Sequence, residues 1–278
     1  MNPPDREAEL ADLAFDGWRI ERHACLGSTS DEARERALAS DPGNLWIWAD
    51  EQTAGRGRHG RVWRSPPGNL HASALIVGPC ETEIAPQIGF VAGAALLRAV
   101  RDLGGADVWL KWPNDLVSNG AKLAGLLVEG VTSPRHGFAA VVGFGVNLAI
   151  SPPGLPYPVT SLSRLLGRPV GPEDLFPRLA RRFDEALALW ARGAGFAAIR
   201  EEWLASAAGL GGPIHVSGPR GAREGVFEGI DPQGRLLMRS GDSLEIIESA
   251  DLTLIPPLAP PRDSSAAPSL LMKAATHD

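Results

Sequence analysis

One segment of the chain alternates arginine and glycine densely. Between Glu51 and Arg64 the sequence EQTAGRGRHGRVWR contains four arginines and three glycines. The arginines repel one another, and glycine weakens any helix or strand in which it lies. Guanidinium groups fork onto phosphate and carboxylate, and glycine lets backbone N–H groups come close to an anion. The segment therefore predicts a site for an anionic ligand.

Lysine is rare in this chain, and two lysines stand close together. Of 27 basic side chains, only Lys111, Lys122 and Lys273 are lysine. Lys111 shares the sequence KWPND with Asn114 and Asp115, and Lys122 precedes LAG. In a chain that uses arginine almost everywhere, both positions predict a need for a compact ammonium. KWPND could orient a nucleotide or a metal, or it could simply end a strand with an Asx turn.

The glycines of this segment also fit a dinucleotide-binding spacing, G-x-G-x-x-G, at Gly55, Gly57 and Gly60. That motif needs a following helix to hold the pyrophosphate, and Pro66 and Pro67 exclude one here. The sequence contains no Walker A, HExxH, GxSxG or kinase motif and no catalytic triad. We therefore expect catalysis by charge stabilisation and positioning, with no protein nucleophile.

Composition is that of an ordinary globular protein. The chain has 278 residues, of which 44% are hydrophobic, and a net charge of -6. The acidic balance argues against nucleic acid as a partner. Cys25 and Cys80 favour a reducing compartment, and neither a signal peptide nor a membrane span is recognisable. We expect a cytoplasmic protein without a membrane or nucleic-acid partner.

Patterns of strands and helices must position these motifs. Thr29 and Glu32 form a predicted capping box for a helix that runs to about Ser40. Gly143 and Gly145 interrupt a strand, either for the close approach of a ligand or as a bulge. Further strands are predicted at 18–25, 45–49, 70–77, 108–112, 115–117, 122–129 and 138–150, and helices at 85–103, 162–166, 173–190 and 196–208. Five short β-like runs after Gly211 predict a small barrel.

Several long motifs stand in a fixed order along residues 18–255. They are Ser28-Thr29, QTAGRGRHGR from Gln52, Trp63, KWPND, KLAGLLVE from Lys122 and GFGVN from Gly143. In order and spacing they resemble the biotin protein ligases. The resemblance implies an α+β fold: a mixed sheet backed by helices, as in the class II synthetase-like catalytic domain of biotin and lipoate ligases, and then an SH3-like barrel. The catalytic domain is placed at 18–210 and the barrel at 211–256. Composition predicts an arm at 1–17 and a disordered tail at 257–278.

The resemblance also implies a reaction and its partners. Biotin and MgATP would give biotinyl-5′-AMP and pyrophosphate, and a lysine of a biotin carboxyl carrier protein would then displace AMP. The carrier would belong to acetyl-CoA carboxylase or a related biotin-dependent carboxylase, and a homodimer stays open. Bifunctional members carry an N-terminal DNA-binding module that this sequence does not show, so no repressor role is expected. The alternatives are a lipoate ligase or octanoyl transferase of the related fold, and a non-catalytic biotin- or nucleotide-binding module.

The resemblance further implies roles for individual residues. Arg58, Lys111 and Lys122 would stabilise charge during catalysis, and Mg²⁺ would bind near Asp115. Ser30 replaces an asparagine and His59 an arginine that the family often carries, which puts one amide contact in doubt and makes the loop less cationic. The implied biotin contacts are Ser28, Thr29, Ser30, Gln52, Gly55, Arg56, Gly57, Arg58, Lys122 and Gly125. The implied nucleotide contacts are Arg61, Trp63, Lys111, Asn114, Asp115 and Asn147. The segment from Glu51 to Arg64, here called the Arg/Gly loop, would order over the adenylate and exclude water.

Overall fold

The computed structural model of the protein describes residues 17–218 and 221–255. Within these ranges the chain forms two β-sheets, with helices packed against the larger one. The predicted N-terminal arm and C-terminal tail lie outside the described residues, apart from Gly17. None of the helices described is long and apolar enough to cross a membrane.

The larger sheet is mixed, as predicted. Its strand order is β1-β2-β3-β7-β6-β5-β4, in which β1 and β2 are parallel and all other neighbours antiparallel. The strands are β1 (Arg19–Leu26), β2 (Leu45–Gln52), β3 (Leu70–Val77), β4 (Trp109–Lys111), β5 (Asp115–Ser118), β6 (Ala121–Ser133) and β7 (Gly137–Val146).

Helices cover both faces of this sheet. Successive side chains of a strand point to opposite faces, so Trp46 joins the main core while Leu45 and Ile47 join a smaller core under the first helix. In the main core Trp46 packs its ring against Phe144 and Phe183. The helices are α1 (Thr29–Leu38), α2 (Gln87–Asp102), α3 (Leu162–Leu166), α4 (Pro172–Trp190) and α5 (Phe196–Ala205).

The second sheet contains the five short strands that the sequence predicts after Gly211. Their order is β11-β10-β9-β8-β12, and within the described residues β11 and β12 are not paired with each other. The sheet is therefore open within the described residues, and the predicted closed barrel is not confirmed. The strands are β8 (Pro213–Gly218), β9 (Gly221–Ile230), β10 (Leu236–Ser240), β11 (Ser243–Ile247) and β12 (Asp251–Leu254).

Several predicted boundaries were wrong: strands β2, β6 and β9 are longer than predicted. Three further errors have a physical cause in the contacts of the chain. The N-cap of α1 is Ser28, whose Oγ accepts from the backbone N–H of Asp31, so Thr29 is already helical. Strand β7 ends at Val146, since the amides of Leu148 and Ile150 donate to Oδ1 of Asn69.

Helix α5 is also shorter than predicted, ending at Ala205 in place of Ala208. The next residues leave the helix to bond the sheet: Leu110 donates to the carbonyl of Ser206 and receives the N–H of Ala208. This contact covers the edge strand β4.

Candidate functional site

A cavity of about 540 Å³ lies where the Arg/Gly loop crosses the larger sheet. The start of α1, the strands β5 to β7 and the last strand, β12, also contribute to its walls. Most of the predicted site residues line it: Ser28, Thr29, Ser30, Gln52, Arg56, Gly57, Arg58, Arg61, Trp63, Lys111, Asn114, Asp115, Lys122 and Gly125. Motifs far apart in the chain thus meet at one place.

Two predicted residues do not line this cavity. Gly55 is buried, and a Cβ there would lie 2.6 Å from both Ser65 Oγ and the carbonyl oxygen of Trp63. Glycine is therefore needed at position 55 for the loop to fold in this way. Asn147 is also buried, and its backbone bonds to Leu123 and Leu162. Asn147 lies beside a smaller neighbouring pocket, next to Trp63.

One end of the cavity is a network of neutral polar groups. The backbone N–H of Thr29 donates to Oε1 of Gln52 over 2.8 Å, and Nε2 of Gln52 donates to Ser65 Oγ over 2.8 Å. Behind them, Ser73 Oγ lies 2.8 Å from Oγ1 of Thr29 and 3.1 Å from Oγ of Ser30. This arrangement suits a neutral ligand head with both donors and acceptors.

The other end of the cavity is charged. Asp115 Oδ1 lies 2.7 Å from Nζ of Lys122, and Oδ2 lies 4.0 Å from Nζ of Lys111. Burial lowers the pKa of Lys111, and Asp115 acts in the opposite direction. Asn114 joins β6 to the Arg/Gly loop, because its Nδ2 donates to the carbonyl of Leu126 and its Oδ1 accepts from Arg58 over 3.2 Å. The lysine ammonium groups can pair with a phosphate, and the carboxylate can bind a metal ion that accompanies the phosphate.

The two strand glycines accommodate side chains of the protein itself. A Cβ on Gly145 would lie 2.6 Å from Nε1 of Trp63, and one on Gly143 would lie 2.7 Å from Oγ of Ser30. The register of β7 runs without a shift through both positions, which excludes the bulge, one of the two alternatives for these glycines. The other alternative, the close approach of a ligand, stays a prediction, and the position of Gly143 and Gly145 in the cavity wall is consistent with it.

The loop arginines contact carboxylates of this chain. Arg56 bonds to Asp31 on α1 and to Glu129 on β6, and Arg61 pairs with Asp251. Arg61 is the main cause of the lowered pKa of the Asp251 carboxyl.

Arg58 links the loop to the segment just before β12. It reaches Ser249 Oγ over 3.3 Å, and burial lowers its guanidinium pKa. The loop therefore joins the two sheets.

Some residues in or directly behind the cavity wall were missed from the sequence. Ser65 and Ser73 do not line the cavity but bond to Gln52 and Thr29, which do, and their only signal is a polar residue beside or within an apolar strand. Tyr157 is the only tyrosine of the chain, and its ring lies 5.8 Å from Nζ of Lys122. Asp251 and Thr253 line the cavity from the second sheet, and no local sequence pattern predicts this role for them.

Comparison with known proteins agrees with these observations. Residues 25–147 match the model of the biotin/lipoate A/B protein ligase family. The biotin--[acetyl-CoA-carboxylase] ligase of Paracoccus denitrificans is 40% identical over 238 residues, covering 80% of this chain and 97% of that protein. The ligase of the same name from Mycobacterium tuberculosis is 31% identical over 266 residues, covering 91% and 96%.

A solved structure has the same fold. The biotin protein ligase of Aquifex aeolicus, in complex with biotin and ATP, superposes with a TM-score of 0.75 at 23% identity, covering 86% of this chain and all of that one. The motif order, the cavity and the two ligases that match over nearly their whole lengths lead to one assignment: this chain belongs to the biotin protein ligases.

Proposed function

We propose that this chain is an ATP-dependent ligase that activates biotin as biotinyl-5′-AMP and transfers it to a lysine of a carrier protein. The observation that carries the proposal is a single cavity with a neutral polar end and a cationic end. The neutral end, formed by Ser28, Thr29 and Gln52, would bind the ureido ring. The cationic end, formed by Arg58, Lys111 and Lys122, would bind the carboxylate and the phosphates.

In the first step, a carboxylate oxygen of biotin attacks the α-phosphorus of ATP. A carboxyl–phosphate bond forms, the bond from the α-phosphorus to the bridging oxygen breaks, and pyrophosphate leaves. Negative charge is concentrated where the carboxylate meets the phosphate, and Lys122 and Arg58 are placed to offset it. Trp63, Asn114 and Arg61 would hold the nucleotide. Positioning within the cavity supplies the rest of the acceleration.

In the second step, the neutral amine of the carrier lysine attacks the acyl carbon of the mixed anhydride. An amide bond forms, the acyl–oxygen bond breaks, AMP leaves, and the amine gives up a proton. The anhydride is sensitive to water, so the Arg/Gly loop would close over it and exclude solvent. Arg56 and Arg61, which already bridge the loop to the body of the protein, would hold that closed position.

Magnesium would arrive with the nucleotide. Within the described residues no three His, Cys, Asp or Glu side chains form a metal site. Oδ1 of Asp115 is a buried carboxylate oxygen that accepts no hydrogen bond from the described residues. Nζ of Lys122 lies 2.7 Å from it, as an ion pair. Mg²⁺ commonly binds one or two carboxylates, substrate phosphates and waters, and Asp115 fits that need. The ion would neutralise phosphate charge.

The carrier protein would dock along β6. This strand pairs with β7 over Ala124–Ser133 but with β5 only as far as Gly125, so within the described residues one edge of 127–133 is unpaired. An unpaired edge can accept another chain as an added strand. Thr132→Arg, at an exposed position on this edge, should raise the KM for the carrier and leave biotin-dependent ATP–pyrophosphate exchange unchanged.

The two free cysteines, Cys25 and Cys80, support a cytoplasmic setting. The five short strands after Gly211 support an SH3-like module. A homodimer through the same β6 edge would compete with the carrier, and sedimentation with and without biotin tests for it.

The deciding experiment is biotin-dependent exchange of labelled pyrophosphate into ATP. Exchange is expected with biotin and not with lipoate. Labelling of the carrier by lipoate alone would favour the lipoate ligase alternative. Binding of biotin or ATP without any exchange would favour the non-catalytic module.

A further inference from the structure

The direction of the Gln52 amide is fixed by the backbone of Thr29. A backbone N–H can only donate, so the atom of Gln52 that lies 2.8 Å from it must be the oxygen Oε1. The hydroxyl of Thr29 also donates to this Oε1, over 3.1 Å. Both contacts turn Nε2 away from α1.

Ser65 occupies one of the two hydrogens on Nε2. Ser65 Oγ accepts from Gln52 over 2.8 Å and donates to the carbonyl oxygen of Trp63 over 3.3 Å. A carbonyl oxygen can only accept, so the Ser65 proton points there and leaves its lone pairs for Gln52. Because an amide nitrogen carries two hydrogens, one N–H of Gln52 stays available to the cavity that it lines.

Ser73 supports the same amide from behind. It lies on β3, fully buried, between Oγ1 of Thr29 and Oγ of Ser30. With the Thr29 proton on Oε1 of Gln52, Thr29 accepts from Ser73, and Ser73 accepts from Ser30. The protons of the Ser30, Ser73 and Thr29 hydroxyls then run in one direction, toward Gln52. Such chains strengthen each bond that they contain.

We infer that Ser65 and Ser73 are positioning residues for substrate binding, which hold the Gln52 amide so that it offers the ligand one N–H and no acceptor. The ligand atom that it meets is therefore an acceptor, as the carbonyl oxygen of a ureido ring is. The inference rests on the proposed function, since biotin is taken as the ligand. Neither serine touches the reacting atoms: Ser65 acts on Gln52 directly, and Ser73 acts on it through the hydroxyl of Thr29.

The test measures biotin KM, ATP KM and kcat in the pyrophosphate-exchange assay, together with the thermal midpoint. Ser65→Ala and Ser73→Ala are each made alone and in a Gln52→Ala background. Alone, each should raise biotin KM about tenfold, the worth of one net hydrogen bond, and leave ATP KM and kcat unchanged. In the Gln52→Ala background neither should cause a further loss, because the group through which they act is absent.

Ser133→Ala is the matched control. Ser133 on β6 is also a buried serine, its hydroxyl has no hydrogen-bond partner in the described residues, and it is not among the cavity residues. Its biotin KM should stay at the value of the unsubstituted protein. A full effect of Ser65→Ala or Ser73→Ala in the Gln52→Ala background, or no effect of either in the unsubstituted protein, would overturn the inference alone. Absence of any biotin-dependent exchange would overturn the proposed function and this inference with it.

Discussion

Lys122 and Asp115 face each other across the β5–β6 hairpin, with Nζ of the lysine 2.7 Å from Oδ1 of the aspartate. The ammonium also lies 5.5 Å from the ring of Trp63 and 3.2 Å from where a Cβ of Gly125 would be. A carboxylate, an aromatic ring and a glycine therefore enclose one small cation. A branched, planar guanidinium is larger and has a different hydrogen-bond geometry.

Lys122→Arg should therefore lower biotin-dependent pyrophosphate exchange by on the order of 100-fold, as loss of one preorganised charge-stabilising group commonly does. The thermal midpoint should stay close to that of the unsubstituted protein, because the charge is kept. Arg181→Lys, on the exposed surface of α4, is the converse control and should exchange normally. Near-normal exchange by Lys122→Arg would refute the need for an ammonium.

Asp251→Asn should loosen the Arg/Gly loop. The Asp251 carboxylate pairs with Arg61 and so anchors the loop to β12. Without that charge, proteolysis near Arg56 to Arg61 should become several-fold faster in the absence of ligand. Biotin with ATP should protect the loop in both proteins. Asp242→Asn, in the exposed β10–β11 turn, is the control. Equal cleavage rates of the loop with and without ligand would contradict its proposed closure.

Gly145→Ala should displace Trp63. The added Cβ would lie 2.6 Å from Nε1 of the indole, a distance that requires movement. Overpacking of this kind costs about 1–3 kcal/mol in the free energy of unfolding, and ATP KM should rise because Trp63 moves. Gly89→Ala in α2, whose Cβ would meet only Val128 Cγ2 at 3.9 Å, should be neutral or stabilising by up to about 1 kcal/mol. Urea unfolding and ATP kinetics check both, and an unchanged ATP KM would argue against the proposed role of Trp63.

His71 should make the protein sensitive to acid. It is buried on β3 with Nε2 3.2 Å from the carbonyl oxygen of Pro66, and burial lowers its pKa to about 4 from the ordinary 6.5. Between these values the unfolded chain binds the proton and the folded chain does not. The free energy of unfolding therefore falls as pH drops from 6.5 toward 4, by about 2 kcal/mol at pH 5 and about 3 kcal/mol in total.

His71→Gln lacks this contribution. Its stability relative to the unsubstituted protein should improve by about 2 kcal/mol between pH 7 and pH 5, measured by urea unfolding. His136→Gln, at an exposed position, serves as the control for the loss of a histidine. Parallel pH profiles for the unsubstituted protein and His71→Gln would contradict the assignment.

The sequence predicted most of the fold because its signals are local. The strand over Leu70–Val77 was predicted at its observed bounds, since apolar residues run between glycines there. At Thr29 the error was one position within a local capping pattern, because the neighbouring Ser28 supplies the cap. The errors after Val146 and after Ala205 arose where a distant side chain or strand supplies the partner of a backbone group. Such partners have no local pattern.

In the candidate site, too, some residues could be predicted from the sequence and others could not. Its motifs bring their own residues to the cavity, so Lys111, Asp115 and Lys122 could be named before the structure was seen. Asp251 could not, because it lies 190 positions from Arg61 and on a different sheet. Ser73 was missed for another reason: a buried serine in a strand is informative only when the hydroxyls beside it are known.

Strand β12 contributes the last of the cavity residues in the order in which the chain is synthesised. The residues that line the cavity run in sequence order from Ser28, and Asp251, Leu252 and Thr253 are the last of them. Domains fold as they emerge during translation, at about 5–20 residues per second. The larger sheet can therefore assemble well before its cavity is finished. A chain still held on the ribosome near residue 240 would contain every lysine and arginine of the site but lack the part of the wall that β12 supplies.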